Sequence, residues 1–265
     1  IMELAATLTE NPQILHGDVK LCFTCDEEIG NSTKYFDLEK FNCDFAYSMD
    51  GGELGEFYYD NFNCGIALVT VNGKVAHTGY AWHRMVNSME VAMELHRLLD
   101  PLAVPAGTRD REGFTHLAEL KGDVGATHMR YLVRDHEFSL FEKKKEDLRR
   151  IAEFLNGKYG GGTVALEFED VMYNMRDKIL KMPFIIENVV KCMEELGIEP
   201  VIIPVRGGVD GAEITFKGLP CPNLFTGGDN CHTIYEYTCI QSMEQSYKLL
   251  VKLCESCLSV GQNQE

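Results

Sequence analysis

The chain has 265 residues, 45% of them hydrophobic, and a formal net charge of −16 at pH 7, enough material for one large domain or two ordinary ones. So acidic a chain is set against nucleic acid and anionic membrane as partners, whose phosphates it would repel, and no apolar run approaches the ~20 residues of a membrane span. No secretory signal is visible, so the ten cysteines predict free thiols in a reducing, cytoplasmic compartment.

In chain order, residues 1–11 read as a helix that starts without a capping residue or an initiator methionine. That suggests a chain beginning partway through an element. KLCFT (20–24) reads as a strand, and DLEKF leads to a second, DFAYSM (44–49), which ends at Asp50-Gly51-Gly52. Period-two alternation predicts strands in EFYYDNF (56–62) and CGIALVTVNGK (64–74), followed by a helix over Trp82–Leu99 and strands in THLAELKGD and ATHMRYLVRD. The next helix carries the apolar stripe Phe141, Leu148, Ile151, Ala152 and Leu155, and the strand TVALEFED follows it. From about residue 172 the helix–strand rhythm returns with FIIENVVKCMEEL, PVIIPV, the glycine-punctuated RGGVDGAE, and PNLFTGG. A last helix carries Met243, Tyr247, Leu250, Val251, Cys254 and Leu258 on one face. The fold class expected is α/β: a mixed central sheet flanked by helices, formed by 1–61 and 173–265, with 62–172 inserted as an α+β sandwich.

Two cysteine pairs, Cys22/Cys25 and Cys254/Cys257, have C-x-x-C spacing. They lack the glycine-rich knuckle of a structural zinc site, and the second pair falls in a helical pattern where both thiols can pack, so packing is the favoured reading.

Four segments put charged or metal-competent residues behind apolar strands: DEE at 26–28, SMDGG at 48–52, PVRGGVDGAE at 204–213 and FTGGDNCHTIYE at 225–236. Strand ends on one edge of an α/β sheet lie together. Glu27, Glu28, Asp50 and His232 could therefore converge as a carboxylate and imidazole set suited to zinc, manganese or cobalt. Taken singly, each has a plainer reading: a solvated loop for the acids, a turn aspartate, a surface histidine, and surface ion pairs for Arg134 and Arg206. On spacing alone, the roles of Glu27 and Glu28 can be exchanged.

FTCDEEIG, DFAYSMDGGELGEF, AHTG with MVNS, HMRYLVRD, YNMRDK, RGGVDGA and LPCPNLFTGGDNCH occur in order along nearly the whole chain. In this combination the sequence resembles the peptidase T group of dinuclear-zinc exopeptidases, the aminotripeptidases. The resemblance implies a zinc-dependent aminopeptidase releasing the N-terminal residue from tripeptides, with two Zn2+ per complete site and Co2+ or Mn2+ as substitutes. It implies Glu27 as general base, Glu28 and His232 as ligands of one metal, and Asp50 as a ligand of the other. It makes 62–172 a lid, with His77 stabilising the oxyanion and Arg134 and Arg206 binding substrate, and it implies a homodimer formed through that lid. The group's upstream His-x-Asp pair and bridging aspartate have no counterpart here: His16 and Asp18 have the spacing but follow the first helix. The expectation is therefore a chain lacking the group's N-terminal third, with half a metal site and little activity alone. The alternatives are a non-catalytic truncated protein that binds peptide or dimerises, and a carboxypeptidase or amidohydrolase of the same superfamily.

Overall fold

The computed structural model describes residues 1–261, with side chains through Cys257. Its first half contains α1 (Met2–Glu10), α2 (Leu38–Phe41), β1 (Ser48–Gly51), β2 (Glu56–Tyr58), β3 (Asn63–Asn72), α3 (Ser88–Arg97), β4 (Phe114–Gly122) and β5 (Ala126–Asp135). Then follow α4 (Phe138–Tyr159), β6 (Val164–Met172), α5 (Arg176–Ile179), α6 (Phe184–Glu195), β7 (Val201–Ile202), α7 (Asp210–Lys217), β8 (Asn223–Phe225), β9 (Gly228–Asp229), β10 (Tyr237–Thr238) and α8 (Ile240–Gly261). The chain forms two compact units, one of residues 1–61, 175–205 and 209 onward, the other of 62–174 together with 206–208. Among the described residues no helix is long and apolar enough to cross a membrane.

The first unit is built on a mixed four-stranded sheet of order β1-β8-β2-β7. β8 is central, parallel to β1 and antiparallel to β2. All three of its residues are buried, as a strand covered on both faces requires. Its Leu224 and Phe225 pack with Phe57 of β2, Val189, Cys192 and Met193 of α6, and Leu249, Leu250 and Leu253 of α8. Leu4 of α1 joins this core, and a hydrogen bond of 2.7 Å between the hydroxyls of Thr7 and Tyr247 fixes α1 to α8.

Several predicted elements form differently, each for an identifiable reason. KLCFT is not a strand: among the described residues no strand runs beside it, and a β ladder needs a neighbour for its backbone groups. Instead Lys20 Nζ donates to the carbonyls of Phe41 and Asn42, each at 2.8 Å, and Leu21 and Phe23 stay 39% and 66% exposed. The strand predicted over 44–49 becomes regular only at Ser48. Ala46 N and Ser48 N donate to Pro220 O and Pro222 O, and prolines have no N–H to return. Between Pro200 and Pro204, β7 shortens to two residues for the same reason. The helix predicted from Trp82 starts at Ser88, where Asn87 Oδ1 caps Met89 N at 3.0 Å. On α8 the buried face centres on Ser246, Leu249, Leu250 and Leu253, leaving Met243 exposed; Leu258 lies outside the described side chains. Ser246 belongs to that face because its hydroxyl donates to Phe225 O at 2.9 Å, which an apolar count cannot register.

The second unit is an antiparallel sheet of order β4-β5-β3-β6 with two helices over one face. Alternate residues Ala67, Val69 and Val71 of β3 and Met129, Tyr131 and Val133 of β5 face Val91, Ala92 and Leu95 of α3. Phe141, Leu148, Ala152 and Leu155 of α4 complete this core, matching the predicted stripe, with Ile151 at its margin.

Candidate active site

Glu27 and Glu28 sit on a single 3-10 turn, Glu27–Ile29, bounded on both sides by left-handed backbone at Asp26 (φ 64°) and Gly30 (φ 69°). Aspartate and glycine tolerate that region best. Gly30 N donates to Glu27 O at 2.7 Å and Asn31 N to Asp26 O at 3.0 Å, closing the turn. Next to it, Ser32 Oγ donates to Asp210 Oδ1 at 2.5 Å and Thr24 Oγ1 to Asp210 Oδ2 at 3.5 Å. Thr33 Oγ1 donates to the Glu213 carboxylate, and Lys217 Nζ donates to Thr33 O.

Asp50 comes from β1, next to Gly51. A Cβ on Gly51 would stand 2.3 Å from Leu224 O, so only glycine lets β1 and β8 approach here. The following turn is fixed by Gly52 N donating to Tyr58 Oη at 2.8 Å, while that hydroxyl donates to the Glu56 carboxylate.

His232 lies in the loop between β9 and β10. Both His232 (φ 64°) and Asn230 (φ 56°) are left-handed, an uncommon conformation for histidine. Backbone strain of this kind persists where surrounding contacts impose it. Here His232 N donates to Glu236 Oε2 at 3.1 Å, and Thr233 Oγ1 donates to Asn230 O at 2.9 Å.

Glu28 Oε2 and His232 Nδ1 are 3.6 Å apart. Partial burial holds the Glu27 carboxyl above its usual range, reinforced by the charges of Asp50, Asp210 and Glu28 and opposed by His232. Asp50 is raised in the same way, first by lost hydration and then by Asp210 and Glu28, again against His232. All four predicted residues of this unit thus share one electrostatic field. In kind, the donor set suits a divalent cation. In arrangement it does not close a metal centre: among the described residues no three His, Cys, Asp or Glu side chains are grouped to hold an ion.

The remaining predicted residues lie in the second unit. His77 is exposed, its Nδ1 accepting from Gly79 N at 3.2 Å and its ring 5.3 Å from that of Tyr80. Arg134 lies on β5, with Nη1 3.4 Å from the carbonyls of Gly65 and Val133. Arg206 donates from Nη1 to the carbonyls of Asp110 and Glu112, both at 2.9 Å, and from Nη2 to Thr108 Oγ1 at 2.8 Å. Its guanidinium also lies over the rings of Phe62 and Phe114. All ten cysteines are free; Cys22 and Cys25 are exposed, and burial pushes Cys254 up to about 11, as for a packing thiol.

The family model for peptidase family M20/M25/M40 matches residues 1–256. The chain belongs to peptidase family M20/M25/M40. It is 48% identical over 248 residues to Peptidase T of Alkaliphilus oremlandii and 47% identical over 248 residues to that of Caldanaerobacter subterraneus, in each case covering 94% of this chain. It spans 61% of the length of those two relatives. Among solved structures, aminopeptidase PepT from Bacillus cereus superposes with a TM-score of 0.83 at 20% identity, over 96% of this chain and 68% of that one. A dinuclear metal binding peptidase of the M20 family from Bacillus subtilis gives 0.72 at 15% identity, over 98% and 70%. These two likenesses bear on the fold, which is the mixed α/β architecture of M20 peptidases.

Against that M20 background, Asp210 is the residue that strand-end reasoning passed over. It lies in RGGVDGAE, a segment that the spacing did single out, but the eye rests on the arginine and the glycines. The available signal was helical: Asp210, Glu213 and Lys217 fall at i, i+3 and i+7, on one face of α7.

Proposed function

We propose that the protein is a zinc-dependent aminopeptidase that releases the N-terminal residue from tripeptides. The observation that carries this reading is the 3.6 Å approach of Glu28 and His232 within a field shared with Glu27 and Asp50. Support comes from the 48% identity to a Peptidase T. Glu28 and His232 would hold one zinc ion and Asp50 would contribute to a second, with cobalt or manganese as substitutes. The bound ions supply Lewis-acid polarisation of the scissile carbonyl and of water. Glu27 would take the proton of the attacking water and return it to the leaving amine. His77 would stabilise the oxyanion. Arg134 and Arg206 would hold the substrate carboxylate, a role in which a planar guanidinium offers paired donors; for Arg206 that means exchanging its bonds to residues 108–112. The 62–172 segment would serve as lid and as homodimer contact, and the protein would work in the cytoplasm.

A second reading is favoured by one observation, the absence of a three-donor group among the described residues. On this reading the 265-residue chain binds tripeptide without cutting it. Incubating the chain with zinc or cobalt and an unblocked tripeptide separates the two. Release of the N-terminal residue that stops on chelation and in Glu27→Gln supports the aminopeptidase. Metal-dependent tripeptide binding with no cleavage supports the second reading, and release of the C-terminal residue would sink both.

A further inference from the structure

The turn bearing Glu27 and Glu28 has little packing of its own. From Leu21 to Tyr35 only Thr33 is buried, and no strand pairs with this stretch among the described residues. A catalytic side chain has to be held within ~0.5 Å of its working place, and an exposed loop does not achieve that unaided.

What holds it is α7. One face of that helix is sunk in the first unit through Ala212, Ile214 and Thr215, and Gly211 packs so closely on the 221 carbonyl that a Cβ would stand 2.2 Å from it. The other face presents Asp210, Glu213 and Lys217 to the loop. Asp210 spends one carboxylate oxygen on Ser32 and the other on Thr24, so a single side chain ties both ends of the turn. Glu213 takes the hydroxyl of the buried Thr33, and Lys217 takes its carbonyl. A carboxylate suits this work because it only accepts, and hydroxyl bonds to a charged acceptor are about twice as strong as neutral ones.

We infer that α7 is the brace of the proposed active site, with Asp210, Glu213 and Lys217 as positioning residues that fix where Glu27 and Glu28 stand without touching substrate. The functional meaning of the brace rests on the peptidase reading; its mechanical meaning does not.

Amide hydrogen exchange on the 265-residue chain tests it, comparing wild type with Asp210→Asn, Thr33→Val and Thr33→Ser. In Asp210→Asn and Thr33→Val the amides of Gly30 and Asn31, which close the turn, should exchange at least tenfold faster while α6 and α8 keep their protection. Thr33→Ser, which retains the hydroxyl, should exchange like wild type. Unchanged rates at Gly30 and Asn31 in both disruptive variants overturn the brace. So does an equal rise in α6 and α8 in both, because that is general loss of stability. With a cleaved tripeptide, both variants should lower kcat about tenfold and leave KM within twofold; an unmoved kcat overturns the positioning role. A wild-type chain that leaves tripeptides uncut while these amides still respond defeats the peptidase reading and leaves the brace standing.

Discussion

Glu28 Oε2 stands 3.6 Å from His232 Nδ1, and the two side chains reach that distance from opposite ends of the chain. Both are largely in water, 74% and 76% exposed, where an ion pair contributes little to stability. His232→Ala should therefore leave the melting temperature within about 1 °C of wild type. It should weaken zinc binding by at least the ~10–100-fold that losing even an outer partner of a metal ligand costs. Differential scanning calorimetry and zinc titration calorimetry on the same samples check both halves.

Glu27 and Glu28 are neighbours with different assigned work. Replacing Glu27 with Gln keeps shape and removes the proton acceptor, so kcat for tripeptide hydrolysis should fall by ~10²–10⁴-fold. Zinc affinity should stay at the wild-type value. Loss of zinc binding in Glu27→Gln would mean that the two roles are exchanged.

The raised carboxyls of Glu27 and Asp50 set a pH dependence. Between the ordinary carboxylate range and the higher folded values, the native state keeps protons that the unfolded chain has released, so stability falls as pH rises through that interval. Metal-free melts under a chelator should thus peak on the acid side of neutral. Asp50→Asn should raise the melting temperature at pH 7 by roughly 1–2 °C and lose that advantage as pH falls to the ordinary aspartate value of 3.8. An Asp50→Asn curve parallel to wild type from pH 4.5 to 8 would contradict the shared field.

Gly51→Ala should be costly. The added methyl would lie 2.3 Å from Leu224 O and 2.8 Å from Phe225 Cα, both backbone atoms of the central strand. Overpacking of this kind costs about 1–3 kcal/mol, and here it also pushes β1 away from β8. The midpoint of urea unfolding reports it.

In the second unit Lys145 is buried, with Nζ 2.6 Å from Glu142 and 2.9 Å from Asp170. Lys145→Met should destabilise by about 2 kcal/mol. That is less than the ~3–5 kcal/mol of a fully buried pair, because both carboxylates retain some solvent. Adding Asp170→Asn should recover part of the loss in chemical denaturation.

Periodicity carried the second unit well. The stripe on α4 and the alternation on β3 are written in side chains that face one way for their whole length, and those faces became the core. The first unit was harder to read because its strands depend on neighbours. KLCFT has the composition of a strand without a partner, and prolines at 200, 204, 220 and 222 cut ladders that hydropathy would extend. Glu27, Glu28, Asp50 and His232 were grouped on the expectation that strand ends share an edge, but only Asp50 stands on the four-stranded sheet: the segment before Glu27 forms no strand, and His232 lies in the loop of the separate β9–β10 pair. The Asp210, Glu213 and Lys217 tethers were not, since a hydroxyl reaching a carboxylate leaves no repeating mark in a sequence.

Arg206 is separated in sequence from the rest of its unit, yet it clamps Thr108, Asp110 and Glu112. During translation the 108–112 loop must wait for that guanidinium until β7 has already emerged from the ribosome. A graft of 62–174 into another host protein would keep the tie of Arg111 to Glu137 but lose the guanidinium that gathers Thr108, Asp110 and Glu112, unless an arginine were supplied from outside the transplanted segment.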